Sequence, residues 1–204
     1  MSAWPPGLEQ RAQALLARYP EQRSALGPLL YLAMGHDGGL TDGGIRRVAE
    51  LTGLTPVQVQ SVASFYNIYR EAPGRYVISV CTSISCHLRG GEEVLEAVEE
   101  ETGVADGETD AGRLFTVEHV ECLGACGGAP ALQVNYETVE GMTPDQARHL
   151  CRRLREARPV VIRSDELQEQ FGGQRAFDWG PEEPAGAAAA VPAFEPYGTA
   201  GEPA

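Results

Sequence analysis

The sequence predicts an α/β (α+β) fold in which an N-terminal helical bundle precedes a small mixed β-sheet covered by helices. Two observations support this prediction. Apolar residues in the first third of the chain recur at helical spacing, whereas residues 76–157 alternate short apolar runs with helical stretches in the order β-α-β-β-β-α. From about Gly172 neither pattern continues, and Pro181–Ala204 is rich in Ala, Pro, Gly and Glu, a composition typical of a flexible tail.

Four helices are predicted in the first part of the chain. Thr41 is expected to cap the third helix and Thr55 the fourth, because a threonine hydroxyl can accept a hydrogen bond from an otherwise unpaired N–H of the first turn. The fourth start is the stronger of the two, since Pro56 suits the first helical position and Gln58 can complete a capping box. The expected helices cover residues 8–19, 26–34, 42–52 and 56–66.

A sheet with two further helices is predicted after the boundary marked by Pro73 and Gly74. The run Tyr76–Cys81 is apolar enough for a buried strand, and Thr143 with Pro144 opens the last helix. The expected strands cover residues 76–81, 114–120, 131–134 and 136–139, and the expected helices cover 91–102 and 144–157. Three regions follow: a helical domain at 1–73, a sheet domain at 74–165 and a flexible tail at 166–204.

The charge of the chain argues against one class of function. The net charge is −13 and all 16 basic residues are arginines, whereas a surface that binds nucleic acid must be positive to contact phosphates. The densest acidic stretch runs from Glu92 to Asp110, with nine Asp or Glu residues and no basic residue. It is interpreted as a solvated helix face and loop, with a docking surface for a basic partner as the alternative.

The sequence also favours a reducing cellular location. No run approaches the roughly 18 apolar residues that a membrane span needs. Residues 1–6 lack the charged start and apolar stretch of a secretory signal. We therefore expect a cytoplasmic protein, in which clustered cysteines bind metals more often than they form disulfides.

Four of the five cysteines form two pairs, and each pair stands where a predicted strand runs into a loop. Cys81 and Cys86 are spaced C-x4-C, and Cys122 and Cys126 are spaced C-x3-C. If the two strands are parallel neighbours, both loops lie at the same end of the sheet and four thiolates surround one point. Thiolates are soft, strongly donating ligands, and four of them are what a [2Fe–2S] or [4Fe–4S] cluster requires.

The spacing of the pairs favours a cluster over its alternatives. A structural zinc site also uses four cysteines, but its pairs are more often spaced C-x2-C. The redox pair C-x-x-C is absent. The ferredoxin run C-x4-C-x2-C is absent too, since 35 residues separate Cys86 from Cys122. Gly124, Gly127 and Gly128 surround the second pair and can leave N–H groups free to point at sulfur. From spacing alone, zinc and disulfides stay open.

Several segments carry a resemblance to a known family. The segments are Val62-Ala-Ser-Phe-Tyr66, Val80-Cys-Thr-Ser-Ile-Ser-Cys86, Val120-Glu-Cys-Leu-Gly-Ala-Cys126, and Ala129-Pro130 followed by Gln133-Val134-Asn135. In these the chain resembles the thioredoxin-like [2Fe–2S] ferredoxins. Within them it is similar to the small subunits of the NADH-oxidising module of NADH:quinone oxidoreductase (respiratory complex I). The resemblance extends from about residue 8 to 160.

The resemblance implies a fold, a cofactor and a partner. The expected fold is an N-terminal helical bundle followed by a thioredoxin-like domain, with one [2Fe–2S] cluster bound by Cys81, Cys86, Cys122 and Cys126. The chain would bind no substrate. It would exchange electrons with the FMN of a flavoprotein subunit that also binds NADH, beside other peripheral-arm subunits of the complex. The expected place is peripheral, on the cytoplasmic side of the membrane.

Two other functions stay open at this point. Related subunits serve as diaphorase components of NAD-linked hydrogenases and formate dehydrogenases, and a zinc-stabilised scaffold protein would use the same four cysteines. The remaining cysteine, Cys151, is interpreted as a small core residue of the last helix. Because thioredoxin-like folds commonly hold a cis proline before the third strand, a cis Ala129–Pro130 bond is also expected.

Overall fold

The computed structural model describes residues 4–176, which form two compact units, residues 4–72 and residues 73–176. The first unit is helical and the second contains a four-stranded mixed sheet with helices. The predicted fold class is therefore confirmed. Most of the predicted tail lies beyond residue 176, outside the described residues, and its flexibility stays a prediction.

The N-terminal unit contains four helices close to the predicted ones. The third and fourth helices have the expected capping residues. The Thr41 hydroxyl accepts a hydrogen bond from the Gly44 N–H at 2.9 Å, and Thr55 and Gln58 form the reciprocal bonds of a capping box. The helices are α1 (Pro6–Leu16), α2 (Leu26–Asp37), α3 (Asp42–Thr52) and α4 (Pro56–Phe65).

The second helix is longer than predicted, because Gly35 does not end it. The helix continues to Asp37 and ends at Gly38, whose φ of +73° is a left-handed conformation that glycine adopts without strain. The unit has its own apolar core, since many side chains from these helices are buried together. Its fully buried members are Ala12, Ala25, Leu29, Leu30, Ala33, Val48 and Val59.

The sheet of the second unit has the strand order β2-β1-β3-β4. The strands are β1 (Tyr76–Cys81), β2 (Phe115–Val120), β3 (Ala131–Val134) and β4 (Glu137–Glu140). The pair β1–β2 is parallel, with Cys81 opposite Val120, whereas β1–β3 and β3–β4 are antiparallel. The loops that follow β1 and β2 therefore leave the sheet at the same end, as the prediction for the two cysteine pairs required.

Four helices accompany this sheet: α5 (Ile84–His87), α6 (Gly91–Thr102), α7 (Pro144–Ala157) and α8 (Ser164–Phe171). The central strand β1 is buried along its whole length, as expected for a strand covered on both faces. Between residues 4 and 176, no helix is long and apolar enough to cross a bilayer. The largest fully buried side chains of this core are Tyr76, Phe115, Ile78, Leu132, Met142, Leu150 and Leu154.

Two helices and one boundary differ from the predictions. The helices α5 and α8 were not predicted, because four and eight residues are too few to show a clear apolar period. The helix α8 crosses the predicted boundary between residues 165 and 166, so the ordered part of this unit extends beyond it. Strand β4 is shifted by one residue, since Asn135 and Tyr136 form a turn with positive φ angles of 50° and 72°.

The acidic stretch is not simply a solvated face. The Glu101 side chain is only 16% exposed and accepts hydrogen bonds from Arg152 at 2.7 Å and Arg155 at 2.9 Å, both on α7. Glu100 pairs with Arg148 at 2.8 Å. The interpretation of this stretch is therefore corrected at its helical end, where carboxylates of α6 pair with the arginines of α7.

Candidate metal centre

The first cysteine pair lies at the end of the central strand. Cys81 is the last residue of β1 and Cys86 lies in α5, and both are only 2% exposed. The first residue of α6, Gly91, packs against this loop. A Cβ on Gly91 would lie 2.7 Å from the Cys81 carbonyl oxygen and 2.9 Å from that of Cys86, closer than real Cβ atoms approach. Because residue 91 has no side chain, the start of α6 can pack closely against the loop that holds Cys81 and Cys86.

The second pair lies in the loop after β2 and is exposed. The Cys122 and Cys126 sulfurs are 3.3 Å apart, and the Gly124 N–H donates a hydrogen bond to the Cys122 sulfur at 3.4 Å. Gly124 has a φ of +83°, which favours glycine. Cys126 begins a short 3-10 turn, Cys126–Gly128, which we call the ligand turn.

The structure brings the two pairs together. Cys81 and Cys86 pack in one apolar cluster with Ala125, which lies between the two cysteines of the second pair, and with Ala129 and Ala131, which follow the second pair. All five cysteines are described, and all are free thiols. Within residues 4–176, no set of three or more His, Cys, Asp or Glu side chains is spaced to hold a single metal ion.

The surroundings of the buried Cys86 disfavour a bare thiolate. Burial, together with the neighbouring sulfurs of Cys81 and Cys126, raises the pKa of Cys86 to about 11, and a hydrogen bond from the Ala131 backbone opposes this rise. At neutral pH this thiol is protonated in the protein without a cation. Cofactor binding must therefore release protons, since only the thiolate is a strong ligand.

The pKa values of the two exposed cysteines are shifted in opposite directions. The Gly124 N–H, and after it the Cys126 thiol, lower the pKa of Cys122. The hydrogen bond with Cys122 raises the pKa of Cys126, against a hydrogen bond from the Ser85 side chain. A backbone N–H group and one hydroxyl thus already point at sulfur. Four thiols with such donors and no carboxylate among them fit an iron–sulfur cluster.

Arg89, Pro130 and Cys151 lie outside the proposed set of ligands. The Arg89 Nε donates to the Ala129 carbonyl at 2.8 Å and so connects the two cysteine loops. The Ala129–Pro130 bond is cis, as predicted. Cys151 is fully buried in α7, where burial raises its pKa to about 12, in agreement with a core role. No sequence signal marked the Arg89 bond, because its acceptor is a backbone atom 40 residues away.

The fold and the site together define a class of protein: a thioredoxin-like domain with two cysteine pairs at one end of its sheet. The family of thioredoxin-like [2Fe–2S] ferredoxins matches residues 12–155, and the chain belongs to this family.

Named relatives extend the comparison. The E subunit of NADH-quinone oxidoreductase from Mycobacterium tuberculosis is 42% identical over 153 residues, which cover 74% of this chain and 61% of that protein. NADH-quinone oxidoreductase subunit 2 of Thermus thermophilus is 42% identical over 124 residues, or 59% of this chain and 68% of the relative. The chain thus spans about three fifths of the length of its mycobacterial relative.

A solved structure supports the fold. The crystal structure of an NAD+-reducing [NiFe]-hydrogenase in the H2-reduced state matches with a TM-score of 0.61 over 72% of this chain and 25% of the other. The sequence identity is 20%, so the likeness concerns the fold alone.

Proposed function

We propose that this chain is an electron-carrying subunit that holds one [2Fe–2S] cluster on Cys81, Cys86, Cys122 and Cys126. The observation that supports it most is the meeting of two cysteine pairs at one end of the sheet, one pair buried and the other exposed. When bound, the cluster would supply one-electron redox chemistry. The buried pair would anchor it, and the exposed pair would leave it close to the surface.

The residues of the chain would tune this chemistry. The Gly124 N–H already donates to the Cys122 sulfur, and the Ser85 side chain bonds the Cys126 sulfur. Hydrogen bonds to sulfur favour the more negative, reduced state of an iron–sulfur centre. The apolar residues beside Cys81 and Cys86 would limit the access of water to the buried side.

We propose further that the partner is the flavoprotein subunit of NADH:quinone oxidoreductase, which would bind NADH and exchange electrons with this chain through FMN. The names of the relatives support this assignment. The sequence contains no G-x-x-x-x-G-K-[ST] phosphate loop, and no G-x-G-x-x-G follows a strand, in line with nucleotide binding by another subunit. The chain would then lie in the peripheral part of the complex, on the cytoplasmic side.

Metal analysis tests the first proposal. The purified full-length chain should contain about two iron and two sulfide per chain, and should give an EPR signal after one-electron reduction. One zinc per chain in a colourless, EPR-silent protein would contradict it and favour the scaffold alternative.

Reduction by NADH tests the second proposal. The cluster should be reduced by NADH only when the flavin-containing partner is added. Direct reduction without any partner, or co-purification with a hydrogenase or formate dehydrogenase instead, would contradict the assignment to NADH:quinone oxidoreductase.

A further inference from the structure

The carboxylate of Glu140 is buried directly beside the ligand turn. Glu140 is the last residue of β4 and is 2% exposed. A Cβ placed on Gly128 would overlap this carboxylate, so the carboxylate lies against the backbone of the turn that begins with Cys126. Burying a carboxylate costs free energy unless hydrogen bonds compensate the loss of water.

The compensating partner is a short segment after α8, Gly173–Ala176, which we call the C-terminal strap. The Ala176 N–H donates to Glu140 Oε2 at 2.6 Å, and the Gly173 N–H donates to the Glu140 carbonyl at 2.8 Å. Glu140 therefore holds both ends of the strap. The next residue, Gly141, donates its N–H to the Gly128 carbonyl at 2.5 Å and so joins the same strand end to the ligand turn.

The strap and the ligand turn are packed backbone to backbone. A Cβ on Gly127 would lie 2.8 Å from the Ala176 Cβ, and a Cβ on Gly128 would lie 2.8 Å from the Gln174 carbonyl oxygen. Both distances are shorter than real Cβ contacts, so the ligand turn reaches this position only as Gly-Gly. The strap thus packs directly against the backbone of the ligand turn.

The buried side chain of Gln168 holds the strap by hydrogen bonds. The Gln168 Nε2 donates to the Gly173 carbonyl at 3.1 Å and to the Glu140 carbonyl at 3.0 Å, and its Oε1 accepts the Glu140 N–H at 2.8 Å. The strap is therefore anchored on α8 and β4. Movement of the strap away from the ligand turn would break several hydrogen bonds at once.

We propose that Glu140 is a positioning residue for Cys126. Its carboxylate and the strap clamp the ligand turn and thereby fix the direction of the Cys126 sulfur. The inference rests on the proposed function, because it assigns Glu140 a role toward the cluster that Cys126 would bind. Without the clamp the turn moves, the sulfur is held less rigidly, and the cluster is released more readily.

Variants of Glu140 test the clamp in the full chain loaded with iron and sulfide. Glu140→Ala removes the acceptor of the Ala176 N–H, whereas Glu140→Gln keeps an oxygen in the same place. The matched control is Glu137→Ala, since Glu137 begins the same strand and its carboxylate accepts bonds from the Ser164 N–H at 3.0 Å and hydroxyl at 2.6 Å. The readouts are the g-values of the reduced protein and the rate of iron loss to a chelator.

The expected result is specific to Glu140. Glu140→Ala should lose iron about tenfold faster or more, with altered g-values, as is typical when a group supporting a metal ligand is removed. Glu140→Gln should restore the parent spectrum, and Glu137→Ala should retain it. Ala176→Pro, which removes the donor N–H and leaves Glu140 in place, should reproduce the Glu140→Ala change even if Glu140→Ala folds poorly.

Two results from the variants would overturn the inference. Parent g-values and parent iron loss in both Glu140→Ala and Ala176→Pro would show that the clamp does not position the sulfur, as would equal changes in Glu137→Ala. A parent chain that binds no iron would instead overturn the proposed function, and this inference with it.

Discussion

At the scale of single residues, the five cysteines show how surroundings decide chemistry. Cys86 and Cys151 are both buried thiols with raised pKa values, yet only Cys86 has other sulfurs beside it. Cys122 is exposed and its pKa is lowered by a backbone N–H. A cysteine is therefore a candidate ligand at one end of the sheet, whereas in α7 it acts as a small apolar residue.

Serine substitutions should separate these roles. Cys86→Ser or Cys122→Ser should abolish the iron–sulfur absorbance or reduce its yield severalfold, because an alcohol is a much weaker ligand for iron than a thiolate. Cys151→Ser is the matched control and should keep about two iron per chain, at the cost of some stability. Iron content and visible absorbance measure the difference. Full iron in both ligand variants would contradict the assignment of these cysteines.

The buried thiol of Cys151 should make the protein less stable at alkaline pH. Burial raises its folded pKa to about 12, whereas an unfolded cysteine loses its proton near about 8.5. Above that pH the folded state holds more protons than the unfolded state, so stability falls as pH rises toward the folded value. Between pH 7 and 9.5 the ionisation of Cys151 in the unfolded state should lower the free energy of unfolding by about 1.4 kcal/mol.

Cys151→Ala should remove this loss. Urea unfolding at both pH values should show a pH dependence smaller by about 1.4 kcal/mol than that of the parent, although the variant is less stable at pH 7. An identical pH dependence in the two proteins would show that Cys151 is not the group responsible.

At the scale of elements, the contact between α6 and the first cysteine loop is unusually close. Gly91 has an ordinary helical conformation, so steric space and not φ is what requires glycine there. Gly7, the second residue of α1, has no neighbour within 4 Å of an added Cβ and offers a matched comparison.

Gly91→Ala should displace α6 or the loop that holds Cys81 and Cys86. We expect a loss of about 1–3 kcal/mol in unfolding free energy, as is usual for overpacking, together with lower iron content. Gly7→Ala should be neutral or slightly stabilising, because alanine favours helices and meets open space. Thermal unfolding and metal analysis of both variants give the test. A Gly91→Ala protein as stable and iron-rich as the parent would contradict the close contact.

The elements also show what a sequence can predict. The bounds of β1, β3, α6 and α7 agree with the predictions, because apolar runs, caps and flanking glycines are local signals. The meeting of the two cysteine pairs was predictable from the parallel strands. The burial of Glu140 was not predictable, since a glutamate that ends a strand is ordinarily exposed. Here it lies against the ligand turn and accepts a hydrogen bond from the strap beyond α8, contacts that no local signal marks.

At the scale of the whole molecule, the two units have separate apolar cores. Residues such as Leu29, Leu30 and Val48 form the core of the first unit, and Tyr76, Phe115 and Leu150 belong to that of the second. The proposed ligands all belong to the second unit. The free energy of cofactor binding should therefore stabilise chiefly that unit.

Removal of iron should consequently loosen the protein locally. In hydrogen-exchange mass spectrometry, the iron-free chain should exchange faster than the loaded chain at residues 81–90 and 121–130, because bound thiolates no longer hold these loops in place. The strap at 173–176 should also exchange faster, since Glu140 connects it to the ligand turn. Peptides from α2 and α3 should be unchanged, because their core contains no ligand.

The Cys122→Ser variant supplies the control for this experiment. The same chelator treatment should leave its exchange unaltered, since little or no iron is present to remove. Faster exchange in α2 and α3 of the parent would show instead that the two units unfold as one cooperative body, and the cofactor would then stabilise the helical unit as well.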